Sequence, residues 1–206
     1  MAEPSSSDGV FINCPFDGEY SSTFDALIFA VFACGFRPRS ARELDDASQT
    51  RIDKIYGIIE ACRYGVHDLS RTELDAAHGL PRFNMPLELG IFLGAKRFGD
   101  GAQSLKRCLV LDTEPYRYQK FISDLAGMDI QAHASDTRRA FTCLRDWLAN
   151  VSRRRSIPGA HLLLATYDRF LADKPIIAAG LGFDPADIPY VDYENMVTTW
   201  LLTARP

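Results

Sequence analysis

Short apolar runs alternate with helical repeats along the first three quarters of the chain, and this alternation constrains the fold more than any other feature. Val10-Phe11-Ile12-Asn13-Cys14 ends abruptly at Pro15, the form of a buried strand opening into a loop. From Ser21 the pattern changes. Phe24, Leu27, Ile28, Val31 and Phe32 recur at helical spacing and Gly35 supplies a stop. A weaker extended stretch near residues 37–41 and a polar loop over 42–50 precede a second amphipathic helix marked by Ile52, Ile55, Ile58, Ile59 and Cys62. Residues 64–70 read as the next strand, residues 84–96 as a helix with Pro86 in its first turn, and residues 107–111 as a fourth strand. Residues 116–127 are helix-like, and Phe141, Leu144, Trp147 and Leu148 mark a helix over 137–151.

Alternation of this kind predicts an α/β domain over residues 10–155. It is a flavodoxin-like or Rossmann-like doubly wound parallel sheet of four to five strands, with right-handed crossovers. Residues 1–9, Ser-rich and acidic, are expected to be a disordered lead-in rather than a secretory signal. Residues 156–206 are expected to form a C-terminal helical extension of two or three short helices, broken at Pro175, at Gly180 to Gly182 and at Pro189.

Composition narrows the function classes. A formal charge of −4 and a pI near 5.6 argue against nucleic-acid binding led by phosphate neutralisation. The one basic run, Arg153-Arg154-Arg155, reads as cations at the end of a helix. Five scattered cysteines without a C-x-x-C pair suggest neither a disulfide framework nor a zinc site, but buried thiols in a reducing cytoplasm. The longest apolar run, residues 26–34, is about half of what crosses a bilayer, so no membrane span is expected. No Walker or dinucleotide glycine loop and no G-x-S-x-G elbow is present.

Ligands of open α/β sheets collect beyond the carboxyl ends of the strands. Three clusters fall there: Asn13, Cys14, Pro15, Phe16 and Asp17 after the first strand; His67, Asp68, Leu69, Ser70 and Arg71 after the third; and Asn84 to Gly90, including Met85 and Glu88, at the following helix. Glu88, flanked by Leu87 and Leu89, sits two to four residues into its helix. It is either a first-turn acid favoured by the dipole or a carboxylate at an apolar pocket edge, able to act on a sugar carbon. Gly90 and Gly94 leave room for another backbone nearby. Because strand side chains alternate, Asp68 and His67 face opposite ways; Asp68 is expected to face the site and His67 to be a core histidine. Ser70 and Arg71 suit a phosphate, with Arg71 paired to Asp75 as the alternative. Phe16 suits base stacking or core packing, and Arg51, Arg63 and Arg82 are further phosphate candidates.

The order of these pieces resembles the family that joins nucleoside 2-deoxyribosyltransferases to bacterial TIR-like domains. The likeness runs over roughly residues 10–150. It rests on Val10 to Asp17, on Arg51-Ile52-Asp53-Lys54-Ile55, on Val66-His67-Asp68-Leu69-Ser70, and on Pro86-Leu87-Glu88-Leu89-Gly90 with Ala95. Asn84 stands where the transferases carry an Asp, and Asn84-Met85-Pro86 departs from the Ser, Trp and Cys common in the TIR-like pattern. The resemblance implies cleavage of an N-glycosidic bond with Glu88 facing the anomeric carbon and Asp68 contacting the base, without a cofactor. In the TIR-like branch the substrate is NAD, cleaved to nicotinamide and an ADP-ribose product, often in antiviral defence. In the other branch Glu88 forms a deoxyribosyl intermediate. A non-catalytic nucleotide-sensing module is the third expectation. The resemblance also implies a homo-oligomer.

Overall fold

The computed structural model describes residues 8–43, 46–74 and 79–204. Most of the expected lead-in lies outside the described residues, and Gly9 already belongs to the first strand. Five strands, β1 (Gly9–Asn13), β2 (Arg37–Arg39), β3 (Tyr64–Asp68), β4 (Arg107–Asp112) and β5 (Gln131–Ala132), form one parallel sheet in the order β2-β1-β3-β4-β5. That is the flavodoxin-like order, in which winding reverses between β1 and β3 and opens a crevice at their carboxyl ends.

Helices cover both faces. α1 (Ser21–Ala33), α4 (Thr137–Ser152), α5 (Ala160–Gly180) and α6 (Tyr190–Thr203) lie on one, and α2 (Arg51–Ala61) and α3 (Asn84–Phe98) on the other. Strand alternation sorts the core accordingly. Val10, Ile12, Tyr64 and Val66 point to the α1 side, whereas Phe11 packs with Ile55, Ile58, Ile59 and Phe92 on the α2–α3 side. α1 is apolar all round because it is enclosed all round: Ala26 to Val31 are buried between sheet and helices. Its apolarity is that of a central helix, and no described helix is long and apolar enough to cross a membrane.

Beyond residue 156 the expected helices are present, broken at Gly180 and before Tyr190 but not at Pro175. Two helices are present, and α5 runs through Pro175 without ending there. Proline removes one backbone hydrogen bond, but packing on α1 outweighs its preference. Phe29 of α1 lies 5.0 Å from the Tyr167 ring, 5.1 Å from Phe170 and 6.2 Å from Trp200, and the Trp200 indole donates to Asp173 at 2.9 Å. The extension therefore packs on α1 and continues the hydrophobic cluster on that side of the sheet. The basic run follows α4, whose last turn carries no cation; Arg153 takes a left-handed conformation at φ 55°, and Arg154 binds Asp8, donates to the Gly35 carbonyl at 2.8 Å and covers Phe36. Residues 116–127 form two short 3-10 turns, Arg117–Lys120 and Ser123–Leu125, instead of a helix, entered through Tyr116 at φ 62°.

Gly65 lets β3 lie close to α3. A Cβ there would sit 2.8 Å from both the His67 ring and the Phe92 ring. Gly65→Ala is expected to destabilise the protein by about 1–3 kcal/mol through overpacking. Denaturant midpoints would measure it, and an unchanged midpoint would mean that α3 can slide away at no cost.

Candidate functional site

At the switch point the end of β1 is stitched to its neighbours by one buried amide. Asn13 Nδ2 donates to the Met85 carbonyl at 2.9 Å and lies 3.0 Å from His67 Nδ1, so the histidine accepts there. The Asn13 bond leaves Nε2 to carry the ring proton, buried and without a partner, between Phe11 and Phe92. Burial alone drives the His67 pKa down to about 3. His67 is a core residue, as the alternation implied, though only one of its two nitrogens is satisfied.

Asn13 thereby fixes the start of α3, and α3 carries Glu88 as its fifth residue, beyond the first turn. A capping role is thus ruled out by position. Residues 84, 85 and 88 share one side of the helix. Asn84 and Met85 line a cleft of about 160 Å³ together with Pro15, Phe16, Asp17 and three arginines, Arg51, Arg71 and Arg82. Glu88 lies one turn behind that wall, 5% exposed, and no described residue hydrogen-bonds its carboxyl. Burial raises its pKa from an ordinary 4.5 to about 7, against the opposing charge of Arg51. Gly90 and Gly94 do not serve the close approach expected of them, because a Cβ on either would meet nothing within 4 Å. They face outward, away from the cleft.

Asp68 points the other way from His67, into a separate polar network. Its carboxylate accepts from the Tyr20 hydroxyl at 2.5 Å and the Ser70 amide at 2.8 Å. His133 Nε2 lies 3.1 Å away, close but poorly aligned for a hydrogen bond. His133 Nδ1 accepts from the Ser135 amide at 3.1 Å, which assigns the ring proton to Nε2. Burial pushes the Asp68 pKa up, but the contacts with His133, Ser70 and Tyr20 outweigh it and hold the group below the usual carboxylate range. Wholly buried, Asp68 stands behind a second cavity of about 340 Å³, walled by its partners Tyr20, Ser70 and His133 and by Thr113 and Ser135. Arg71 lines both cavities.

Of the residues singled out in the sequence, Pro15, Phe16, Asp17, Arg71, Asn84 and Met85 therefore converge on the Glu88 cleft, and Arg51 and Arg82 join them. Cys14 and Leu69 do not reach a cavity: both are core, Cys14 against the α1 cluster and Leu69 against Met85, Leu89 and Tyr118. Phe16 packs edge-on against Phe24 at 5.5 Å, with the Arg42 and Arg51 guanidinium groups over its ring at 5.9 and 5.7 Å. Arg71 pairs with Glu19 and, at 3.5 Å, with Asp17, while Asp75 lies outside the described residues. Arg63 sits at the opposite end of the sheet over Tyr64 and takes no part. Sequence reasoning placed Asn13 in the first strand-end cluster and missed Tyr20 and His133. Comparison with known protein families, curated proteins and solved structures finds no match to this chain.

Proposed function

We propose that this protein is a nucleotide N-glycosidase that cleaves NAD to nicotinamide and an ADP-ribose product. One observation carries the reading. Glu88 is a buried carboxyl, shifted to about 7, with no hydrogen-bond partner among the described residues, one turn along α3 from Asn84 and Met85, which line a cleft at the sheet's switch point. A carboxyl with a strongly raised pKa beside a cleft is the kind of group that acid–base and electrostatic catalysis uses. The three arginines on the rim suit the phosphates of a nucleotide.

The chemistry asks little else of the protein. As the ribosyl–nicotinamide bond breaks, its electron pair leaves with the base, which becomes neutral, and positive charge moves onto the ribose ring. Ionised Glu88 stabilises that oxocarbenium-like centre through a poorly solvated path, where an unscreened charge acts most strongly. Water then adds to the anomeric carbon and gives up a proton. The cationic nicotinamide ring of the bound substrate itself favours ionised Glu88, since a nearby positive charge lowers a carboxyl pKa.

Product analysis by chromatography and mass spectrometry tests this directly, with NAD in one reaction and a deoxynucleoside plus a free base in another. Nicotinamide is expected from the wild type and lost by about 100- to 1,000-fold in Glu88→Gln. Base exchange would replace the reading with a deoxyribosyltransferase. A folded protein inert towards both substrates would replace it with a nucleotide-binding module.

A further inference from the structure

We propose that the cavity walled by Tyr20, Ser70, Thr113, His133 and Ser135 is a second nucleoside subsite, which takes the ribose diol of the distal nucleoside of a dinucleotide while Arg71 holds the pyrophosphate between the two cavities. The inference rests on the proposed function and assigns the place where the distal half of its dinucleotide substrate binds.

Connection is the first argument. Arg71 forms part of both walls, so a ligand lying across it occupies both cavities. Its present partners are replaceable: Glu19 is 81% exposed, and Asp17 stands at 3.5 Å. Exposed pairs of this kind contribute little, and a pyrophosphate offers the guanidinium a bidentate partner in exchange.

Chemistry divides the two cavities. Three arginines face the Glu88 cleft, whereas Glu19 and Glu73 border the second cavity. Phosphate is therefore favoured on the arginine side and repelled from the other. What suits the second cavity is a neutral group rich in hydroxyls, because carboxylates accept from hydroxyls and the wall offers further hydroxyl and backbone groups. One wall group is waiting for such a partner. Ser70 is 4% exposed and its Oγ has no hydrogen bond, a state that buried hydroxyls seldom tolerate. A volume of about 340 Å³ falls within the range of small-ligand sites.

Calorimetric titration separates this subsite from the catalytic reading, because it needs no turnover. ADP-ribose and ribose 5-phosphate are titrated into the wild type, Ser70→Ala and Thr113→Val, with thermal melts to verify folding. Ser70→Ala deletes a hydroxyl that the fold leaves unpartnered, so it breaks no hydrogen bond of the folded chain. Each variant is expected to weaken ADP-ribose by roughly tenfold, the worth of one hydrogen bond, and to leave ribose 5-phosphate unchanged. ADP-ribose affinity unaffected by both variants, equal weakening of the two ligands, or no ADP-ribose binding by the wild type would each overturn the subsite. ADP-ribose binding that depends on Ser70 in a protein that leaves NAD intact would uphold the subsite and remove the glycosidase.

Discussion

Glu88→Gln is expected to make the protein more stable above pH 7 by up to about 3 kcal/mol, in the same substitution that the proposed NAD cleavage expects to be inactive. The direction follows from the raised pKa. Between about 4.5 and 7 the folded protein keeps a proton on Glu88 that the unfolded chain has released, so wild-type stability falls as pH rises through that window. At roughly 1.4 kcal/mol per unit of pKa the deficit is complete above pH 7. A glutamine is neutral throughout and escapes it. The melting temperature of the variant should exceed that of the wild type by roughly 6–12 °C at pH 8, by the usual scaling for a chain of this size, and match it near pH 4.5. Using the difference between the two proteins is essential, because His67 acts in the opposite sense. With its pKa lowered to about 3, it stays neutral in the fold while the unfolded chain takes up a proton below about 6.5, so stability falls with acidification there. The two linkages oppose each other over the shared window and cancel in part in the wild type. Activity should show the complementary profile, with kcat/KM falling about tenfold per unit below pH 7 as Glu88 protonates. A Gln variant no more stable at pH 8 than at pH 4.5, relative to wild type, would mean that Glu88 is solvated and ordinary.

How much of this was legible in the sequence depends on whether a signal was periodic or local. β1, β3, β4, α2 and α4 announced themselves because burial on one or both faces writes a repeat into the chain. The opposed facing of His67 and Asp68 was legible for the same reason: a strand has period two, and neighbours must diverge. β5 was invisible, since Gln131–Ala132 is too short to carry a pattern. With it went His133, which that strand delivers to Asp68 across the sheet. Tyr20 was passed over as the last residue of a loop, although its hydroxyl reaches a residue 48 positions away. The run through Pro175 was misread because a local breaker was weighed without the aromatic cluster that holds α5 against α1. Cys14 and Leu69 were placed at the ligand by adjacency to strand ends, but each follows a strand whose exit still lies beneath the surface. What sequence cannot supply is depth.

Asp68→Ala should damage the fold in this region by about 2–6 kcal/mol, at about 1–3 kcal/mol for each of the two buried donors it leaves without an acceptor. Two donors depend on this carboxylate, the Tyr20 hydroxyl and the Ser70 amide, while the His133 ring faces it at 3.1 Å. Both donors would be left buried with no acceptor in its place. His133 cannot compensate by moving its proton to the other nitrogen, because Nδ1 faces the Ser135 amide and must accept from it. Tyr20→Phe, which keeps the ring and removes one donor to a charged acceptor, should lose only about 1.5–3 kcal/mol. The two variants should also differ from wild type in a pH-dependent way. Asp68 has a folded pKa below that of an unfolded carboxyl, so its contribution is present in full above the unfolded value and lost as pH falls through the folded one. The gap between wild type and Asp68→Ala should therefore be widest at neutral pH and narrow in acid, opposite in sign to the Glu88 effect. Denaturant melts of wild type, Tyr20→Phe and Asp68→Ala from pH 3 to pH 8 would measure both trends. A constant gap across that range would show that Asp68 stabilises by filling space rather than by its charge, and the polar network behind the second cavity would lose its electrostatic basis.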